Sequence, residues 1–143
     1  MERRLELEGI TNFRDLGGYK TSSGQRVKWR TIFRSDTLSS LSDKDMETVR
    51  DLGVKATFDL RYGEERTLEP FRFLGNAQVE VLEVGLDERP DARALDSFDA
   101  STDKAATARA WMTEGYRNYP FLYADAYRTM VERLIAGQKI VVH

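Results

Sequence analysis

Three side chains that suit phosphate chemistry stand at the ends of extended, apolar runs of the chain: Arg34, Arg61 and His143. Ligands of α/β proteins bind beyond the carboxyl ends of parallel strands, where loops entering helices offer backbone N–H groups and a positive helix terminus. If the three runs are parallel strands, both arginines lie on the side where a phosphate would bind. Either arginine could instead belong to a structural ion pair, for example Arg61 with Asp59 or Glu65.

Alternating strand and helix signals place these side chains on an α/β framework. Ser42 and Asp45 form an S-x-x-D capping signature, and Gly53 suits the position just after a helix. The predicted helices span residues 43–52, 103–116 and 120–136, with at most a helical turn at 64–73; the predicted extended segments are a hairpin at 19–33 and strands at 54–60, 79–84 and 139–143. We therefore expect a three-layer sandwich around a central, mostly parallel sheet.

The last predicted helix and the acidic stretch 87–99 carry two further expectations. In the helix, six side chains are predicted to share one buried face: Tyr123, Tyr127, Met130, Val131, Leu134 and Ile135. The stretch 87–99 is rich in carboxylates and contains Pro90, which predicts a loop too polar to pack into a core. Because this loop follows a strand, we expect it to border the entrance of a substrate site.

Length and composition exclude several classes of protein. A chain of 143 residues fits one domain. Its net charge of -2 argues against nucleic acid or an anionic membrane as a partner. No apolar stretch approaches the roughly 20 residues of a membrane-spanning helix, and no signal-peptide pattern opens the chain, so we expect a cytoplasmic protein. One histidine, no cysteine and no phosphate-loop or EF-hand motif predict a mechanism without a metal or other cofactor.

Three segments, in this order, resemble the bacterial branch of the protein tyrosine and dual-specificity phosphatases. They are Asn12-Phe13-Arg14-Asp15-Leu16-Gly17-Gly18-Tyr19, Phe33-Arg34-Ser35-Asp36 and Asp59-Leu60-Arg61. The resemblance implies hydrolysis of phosphotyrosine in proteins through a cysteinyl-phosphate intermediate, with phosphoserine, phosphothreonine, phosphoinositides and small phosphomonoesters as further candidate substrates. The alternative is a phosphatase-like binding module that keeps the fold and lacks the nucleophile.

The resemblance also implies how the chain relates to its catalytic loop. The family loop begins with a strand, a histidine and the nucleophilic cysteine, followed by five residues and an arginine. Only His143 of that motif is present, so it is expected to precede the nucleophile and to orient the loop. Residues 1–143 are then the N-terminal part of a single catalytic domain that lacks the catalytic loop and the C-terminal helices. Such a fragment is expected to be inactive by itself.

The remaining site residues follow from the same resemblance. Asp87 is the candidate acid that protonates the leaving oxygen, although Glu88, Asp91 and an aspartate of the missing loop are alternatives. Arg14, Arg34 and Arg61 are candidate substrate-binding residues, and no metal ligand is expected. For the segment around Arg14, a purely architectural role is an equal alternative. Tyr62 stands where the family often has serine, so a serine hydroxyl contact at that position is not carried over to this chain.

Overall fold

A five-stranded sheet is the frame of residues 2–71, 79–87 and 102–143, the part of the chain that this computed structural model describes. In chain order the strands are β1 (Arg14–Asp15), β2 (Ile32–Arg34), β3 (Val54–Asp59), β4 (Glu80–Glu83) and β5 (Lys139–Val142). Their spatial order is β1-β2-β5-β3-β4, and each neighbouring pair is parallel except β1 with β2. The expected mostly parallel sheet is therefore confirmed, with β5 at its centre.

Helices cover both faces of this sheet, as expected for a three-layer sandwich. They are α1 (Asp43–Asp51), α2 (Gly63–Leu68), α3 (Lys104–Leu122) and α4 (Ala124–Ile135). Successive residues of a strand point to opposite faces, so each face buries its own set of side chains. Phe33 and Val141 pack with Val49 of α1, whereas Phe58 and Ile140 pack with Met130 of α4. We call these two sides the α1 face and the α4 face.

The start of α1 confirms the predicted capping signature. Ser42 Oγ accepts a hydrogen bond from Asp45 N at 3.1 Å, and the Asp45 carboxylate accepts one from Ser42 N at 3.0 Å. The same carboxylate also accepts from the backbone N–H groups of Glu8 and Gly9, both at 2.8 Å. Burial alone would raise the pKa of Asp45, but these backbone donors lower it below its ordinary value. Asp45 thus caps the helix and ties the N-terminal segment to it.

The boundary between α3 and α4 differs from the prediction, which ended one helix near Tyr116 and began the next at Pro120. The helix α3 runs through Pro120 to Leu122, and the break falls at Tyr123. Proline has no N–H to donate to the carbonyl four residues earlier and it crowds the preceding turn, and the helix ends two residues after Pro120. The rings of Tyr119 and Tyr123 meet edge to face at 5.7 Å across the junction.

The apolar face predicted for the last helix is wrong at three positions, the first of which is Tyr127, 36% exposed. Met130 is buried and Leu134 packs against the core, but Val131 is 52% exposed and Ile135 is 80% exposed. The face is centred on Met130, so a period of 3.6 residues carries Val131 and then Ile135 progressively toward solvent. Ala126, whose small side chain gave no strong signal, is buried instead.

Two other predicted segments are only partly matched. The hairpin expected at 19–33 is a narrow ladder with a Lys20–Arg26 bridge, and regular pairing resumes at Ile32. Of the acidic loop predicted at 87–99, Asp87 is described, and the remaining residues lie outside the described part of the chain.

Candidate active site at the carboxyl edge of the sheet

His143 continues the central ladder beyond β5. Its backbone N–H donates to Phe58 O at 3.1 Å, and its carbonyl accepts from Leu60 N at 2.8 Å. The imidazole is fully buried and stacks on Phe71, with 5.5 Å between ring centroids. Among the described residues, neither ring nitrogen has a hydrogen-bond partner. Burial lowers the pKa of His143 to about 4, partly offset by Asp59, so the ring is neutral near pH 7.

Asp59 ends β3 beside His143 and holds Arg61 in a bidentate ion pair. The Asp59 side chain is 1% exposed, and its Oδ2 lies 2.7 Å from Arg61 Nη2 and 4.0 Å from His143 Nε2. Arg61 Nε adds a bond of 3.0 Å to Asp59 Oδ1. Burial alone would raise the pKa of Asp59, but the Arg61 hydrogen bond and the nearby His143 lower it. The carboxylate therefore stays ionised at neutral pH and fixes the guanidinium.

The other N–H groups of Arg61 also donate hydrogen bonds to the protein. Nη1 donates to Thr37 Oγ1 at 3.1 Å and to the Glu69 carbonyl at 2.9 Å. With Nε and Nη2 bound to Asp59, four of the five N–H groups of the guanidinium are engaged. Of the two possibilities that the sequence left open for Arg61, the geometry is that of the ion pair with Asp59.

Arg14 and Arg34 form a cross-strand pair at the same edge. They are register partners in the antiparallel β1–β2 ladder, and Arg34 is also level with Val142 of β5. Within the described residues, neither side chain has a hydrogen bond or an ion pair, and the Nε atom of Arg14 is buried without a partner. Arg34 shares its face of the sheet with Ile32 and Val142, which is the α4 face.

The loops that follow β3 and β4 lie against each other and bring Asp87 to this edge. Gly63 N donates to Leu86 O at 3.0 Å. A Cβ on Gly85 would lie 1.9 Å from Arg61 O, so only glycine permits this approach. Asp87 is 93% exposed and accepts a bond of 2.9 Å from Arg66 Nη2.

Arg66 is a site residue that the sequence reasoning did not identify. Its guanidinium is largely buried, and Nη1 donates to Arg61 O at 2.5 Å while Nη2 holds Asp87. Arg66 therefore links the candidate acid to the backbone of Arg61. In the sequence it follows two glutamates of a short helix, a pattern typical of any solvated surface, so no local signal separated it from the other arginines.

The resembling segment at 12–19 is organised by Asp15, which is fully buried. The Asp15 carboxylate accepts from Gly17 N and from Arg30 N, both at 2.8 Å. Arg30 holds a left-handed backbone with φ 58, an uncommon conformation for a residue other than glycine, and its bond to Asp15 stabilises it. These contacts fit the architectural alternative for this segment, while Arg14 precedes Asp15 in β1 and so lies on the opposite face of the sheet.

The predicted site residues thus separate into groups at one edge. His143 and Arg61 meet through Asp59, Asp87 joins them through Arg66, and Arg14 with Arg34 lies on the other face. In the described ranges, no three histidine or acidic side chains come together as a metal site would require. Nor does any helix described here combine the length and apolarity needed to cross a membrane.

Comparison with known proteins shows which family the chain resembles. The model of the tyrosine phosphatase family matches residues 5–143. A Cupriavidus necator protein named as a candidate tyrosine-protein phosphatase is 27% identical, with 97% of this chain and 50% of the relative aligned. The triple specificity protein phosphatase PtpB of Mycobacterium tuberculosis is 28% identical, with 96% and 56% aligned. The chain therefore spans about half the length of these curated relatives. Since the family model covers almost all of it, the chain belongs to the tyrosine phosphatase family.

Proposed function

We propose that the complete protein hydrolyses phosphate monoesters, with phosphotyrosine in proteins as the first candidate substrate and a cysteine directly after His143 as the nucleophile. Phosphoserine, phosphothreonine and phosphoinositides are the next candidates. The observation that carries the proposal is the position of His143 at the carboxyl end of the central strand, between Arg34 on β2 and the Asp59–Arg61 pair after β3. The carboxyl ends of parallel strands, where the following loops present backbone N–H groups, suit a phosphate dianion.

The proposed reaction has two steps. In the first, the cysteine thiolate attacks phosphorus, so that an S–P bond forms while the P–O bond to the leaving group breaks, and the leaving oxygen takes a proton from a general acid. In the second, water attacks phosphorus, the S–P bond breaks, and phosphate and thiolate are released. The step needs no cofactor, because sulfur supplies the nucleophile and the backbone N–H groups of the loop supply the charge stabilisation.

Each predicted residue has a role in this proposal. His143 is neutral and buried, so it orients the start of the catalytic loop rather than carrying charge to the substrate. Arg61, held by Asp59 in a buried ion pair, shapes the wall of the site. Arg14 and Arg34, whose side chains have no hydrogen bond or ion pair among the described residues, bind substrate anions. Asp87, exposed at the rim, is the candidate acid, and an aspartate of the following loop is the alternative.

Substrate and setting follow from the same proposal. The partner is a phosphorylated protein or a small phosphomonoester, and a net charge of -2 offers no bulk attraction to nucleic acid. We also propose that the protein acts in the cytoplasm.

Steady-state kinetics of the complete protein test the proposal. We expect turnover of p-nitrophenyl phosphate and of a phosphotyrosyl peptide, and a loss of roughly 10³-fold or more in kcat when the cysteine after His143 is replaced by serine. Binding of the phosphopeptide without turnover would favour the inactive binding module instead. The absence of a cysteine at that position would remove the proposed mechanism.

A leaving-group comparison tests Asp87. Asp87→Asn should lower kcat roughly 10²-fold for phenyl phosphate, whose leaving group is poor, and much less for p-nitrophenyl phosphate, whose leaving group needs little protonation. The matched control is Asp125→Asn, because Asp125 is also exposed and paired with an arginine, Arg128, but lies on α4. Equal losses of kcat for both esters would indicate that Asp87 is not the acid and would favour the aspartate of the following loop.

A further inference from the structure

We propose that Arg14 and Arg34 form a second anion-binding subsite that takes a second phosphate group of a peptide substrate, beside the scissile phosphate. This inference rests on the proposed function and specifies its substrate class. The arginines near this edge differ in the groups that their side chains face. Arg61, Arg30 and Arg66 each face a carboxylate of the protein, whereas Arg14 and Arg34 face each other.

The arrangement of the pair is unfavourable without an anion. Directly opposite residues of an antiparallel ladder have their Cβ atoms roughly 5 Å apart, and like charges in such a pair destabilise the sheet. Arg14 and Arg34 occupy this position, and no hydrogen bond or ion pair within the described residues compensates either one. The buried Nε of Arg14 also lacks an acceptor, which a polar atom in that environment normally has. A phosphate group between the two guanidinium groups would supply both the acceptors and the countercharge.

The location of the pair makes it a separate subsite. His143 and the Asp59–Arg61 pair lie on the side of the sheet where Phe71 and Val141 pack, the α1 face. Arg34 alternates with Phe33 and therefore lies on the α4 face. The two arginines and the proposed scissile site are thus adjacent along the edge but turned to opposite faces.

This geometry suits a peptide better than a single phosphate. Neighbouring side chains of an extended peptide are roughly 3.3 Å apart along the chain and point to opposite sides. A peptide lying across the edge can direct phosphotyrosine to the His143 side while a phosphoserine or phosphothreonine next to it reaches Arg14 and Arg34. The guanidinium forks then bind two oxygens each of the second phosphate.

The test compares two peptides with the complete protein, one carrying phosphotyrosine alone and one carrying an adjacent phosphoserine as well. We expect the doubly phosphorylated peptide to have a roughly tenfold higher kcat/KM, mainly through KM, which corresponds to about 1.4 kcal/mol. In Arg34→Gln and in Arg14→Gln, the ratio of the two kcat/KM values should fall toward one. Arg34→Lys should restore part of the ratio, and the control Arg128→Gln, which removes an exposed arginine of α4, should retain it.

Three outcomes would overturn the inference. They are a wild-type ratio near one, an equal loss for both peptides in the arginine variants, and a preference confined to soluble inositol bisphosphate, which would assign the pair to a phosphoinositide headgroup. Failure of the proposed function is a different result, because no peptide would then be hydrolysed. The same ratio can in that case be measured as peptide dissociation constants by calorimetry, where a ratio near one again counts against the subsite.

Discussion

Arg61 and Arg34 stand at the carboxyl ends of the two strands that flank β5, yet their surroundings are opposite. Arg61 follows a buried aspartate, which binds its Nε and Nη2, and its Nη1 is held by Thr37 and Glu69. Arg34 is exposed, has no partner among the described residues and faces Arg14 across the ladder. Position at a strand end is therefore insufficient to identify a substrate-binding arginine. The presence of a buried carboxylate decides whether the guanidinium is committed to the fold or available to a ligand.

The largest expected effect is the loss of stability when the carboxylate of Asp59, which holds Arg61, is removed. Asp59→Ala leaves a largely buried guanidinium without its countercharge, and we expect the free energy of unfolding of the complete protein to fall by about 3–5 kcal/mol. Urea denaturation checks this. The control is Asp51→Ala, which removes an exposed carboxylate at 3.8 Å from Arg50 and should cost at most about 0.5 kcal/mol. Similar small losses in both variants would remove the distinction between Arg61 and Arg34.

The pH dependence of stability tests the surroundings of the same cluster. Because burial lowers the pKa of His143 from 6.5 to about 4, the unfolded chain binds a proton more readily in this range. The stabilising contribution is complete above pH 6.5 and is lost as the pH falls toward 4, by up to about 3 kcal/mol. The substitution His143→Phe should make the free energy of unfolding less dependent on pH in this range. Losses below pH 4 in both proteins would instead reflect Asp59 and Asp45, whose pKa values are also lowered.

Arg30 offers a second case of an arginine organised by a buried carboxylate. Asp15→Ala removes the acceptor of Gly17 N and Arg30 N, and it leaves the left-handed Arg30 unsupported. We expect a loss of about 2 kcal/mol in unfolding free energy, measured by urea denaturation. Unchanged stability would mean that water replaces both hydrogen bonds and that Asp15 does not determine the path of this segment.

The smallest expected effect is that of Arg34 itself on stability. Arg34→Gln removes an unpaired, exposed charge opposite Arg14, so the unfolding free energy should stay within about 0.5 kcal/mol of the wild type or rise slightly. A thermal or urea melt checks this. A loss comparable to that of Asp59→Ala would show that Arg34 has a structural partner in the complete protein, and the contrast with Arg61 would no longer hold.

The elements predicted most accurately are those with local physical signals. The capping box at Ser42 and the apolar strands around Phe58 and Ile140 need only neighbouring residues to be recognised. The α3–α4 boundary was misplaced because proline is typical of a first helical turn, whereas Pro120 lies near the end of α3. Val131 and Ile135 were misassigned because the helix rotation is set by the sheet below it.

The candidate site was predictable in location but incomplete in its pairings. Strand ends identified the edge, since parallel strands present their carboxyl ends together. The pair of Arg61 with Asp59, two residues away, was one of the sequence alternatives, but the bond from Arg61 to Thr37 spans 24 residues and the link from Arg66 to Asp87 spans 21, so tertiary contacts decide these two. The same limit applies to Arg14 and Arg34, whose lack of a partner is a property of the folded edge.

Trapping the covalent intermediate tests the central claim most directly. The complete protein would be mixed with a phosphotyrosyl peptide, quenched in acid within the first turnover, digested, and mapped by mass spectrometry. We expect a phosphate attached to the sulfur of a cysteine immediately after His143, and no such adduct when that residue is serine or when the peptide is not phosphorylated. Hydrolysis with the phosphate on a different residue, or turnover that survives the loss of that cysteine, would contradict the assignment of this edge as the catalytic site.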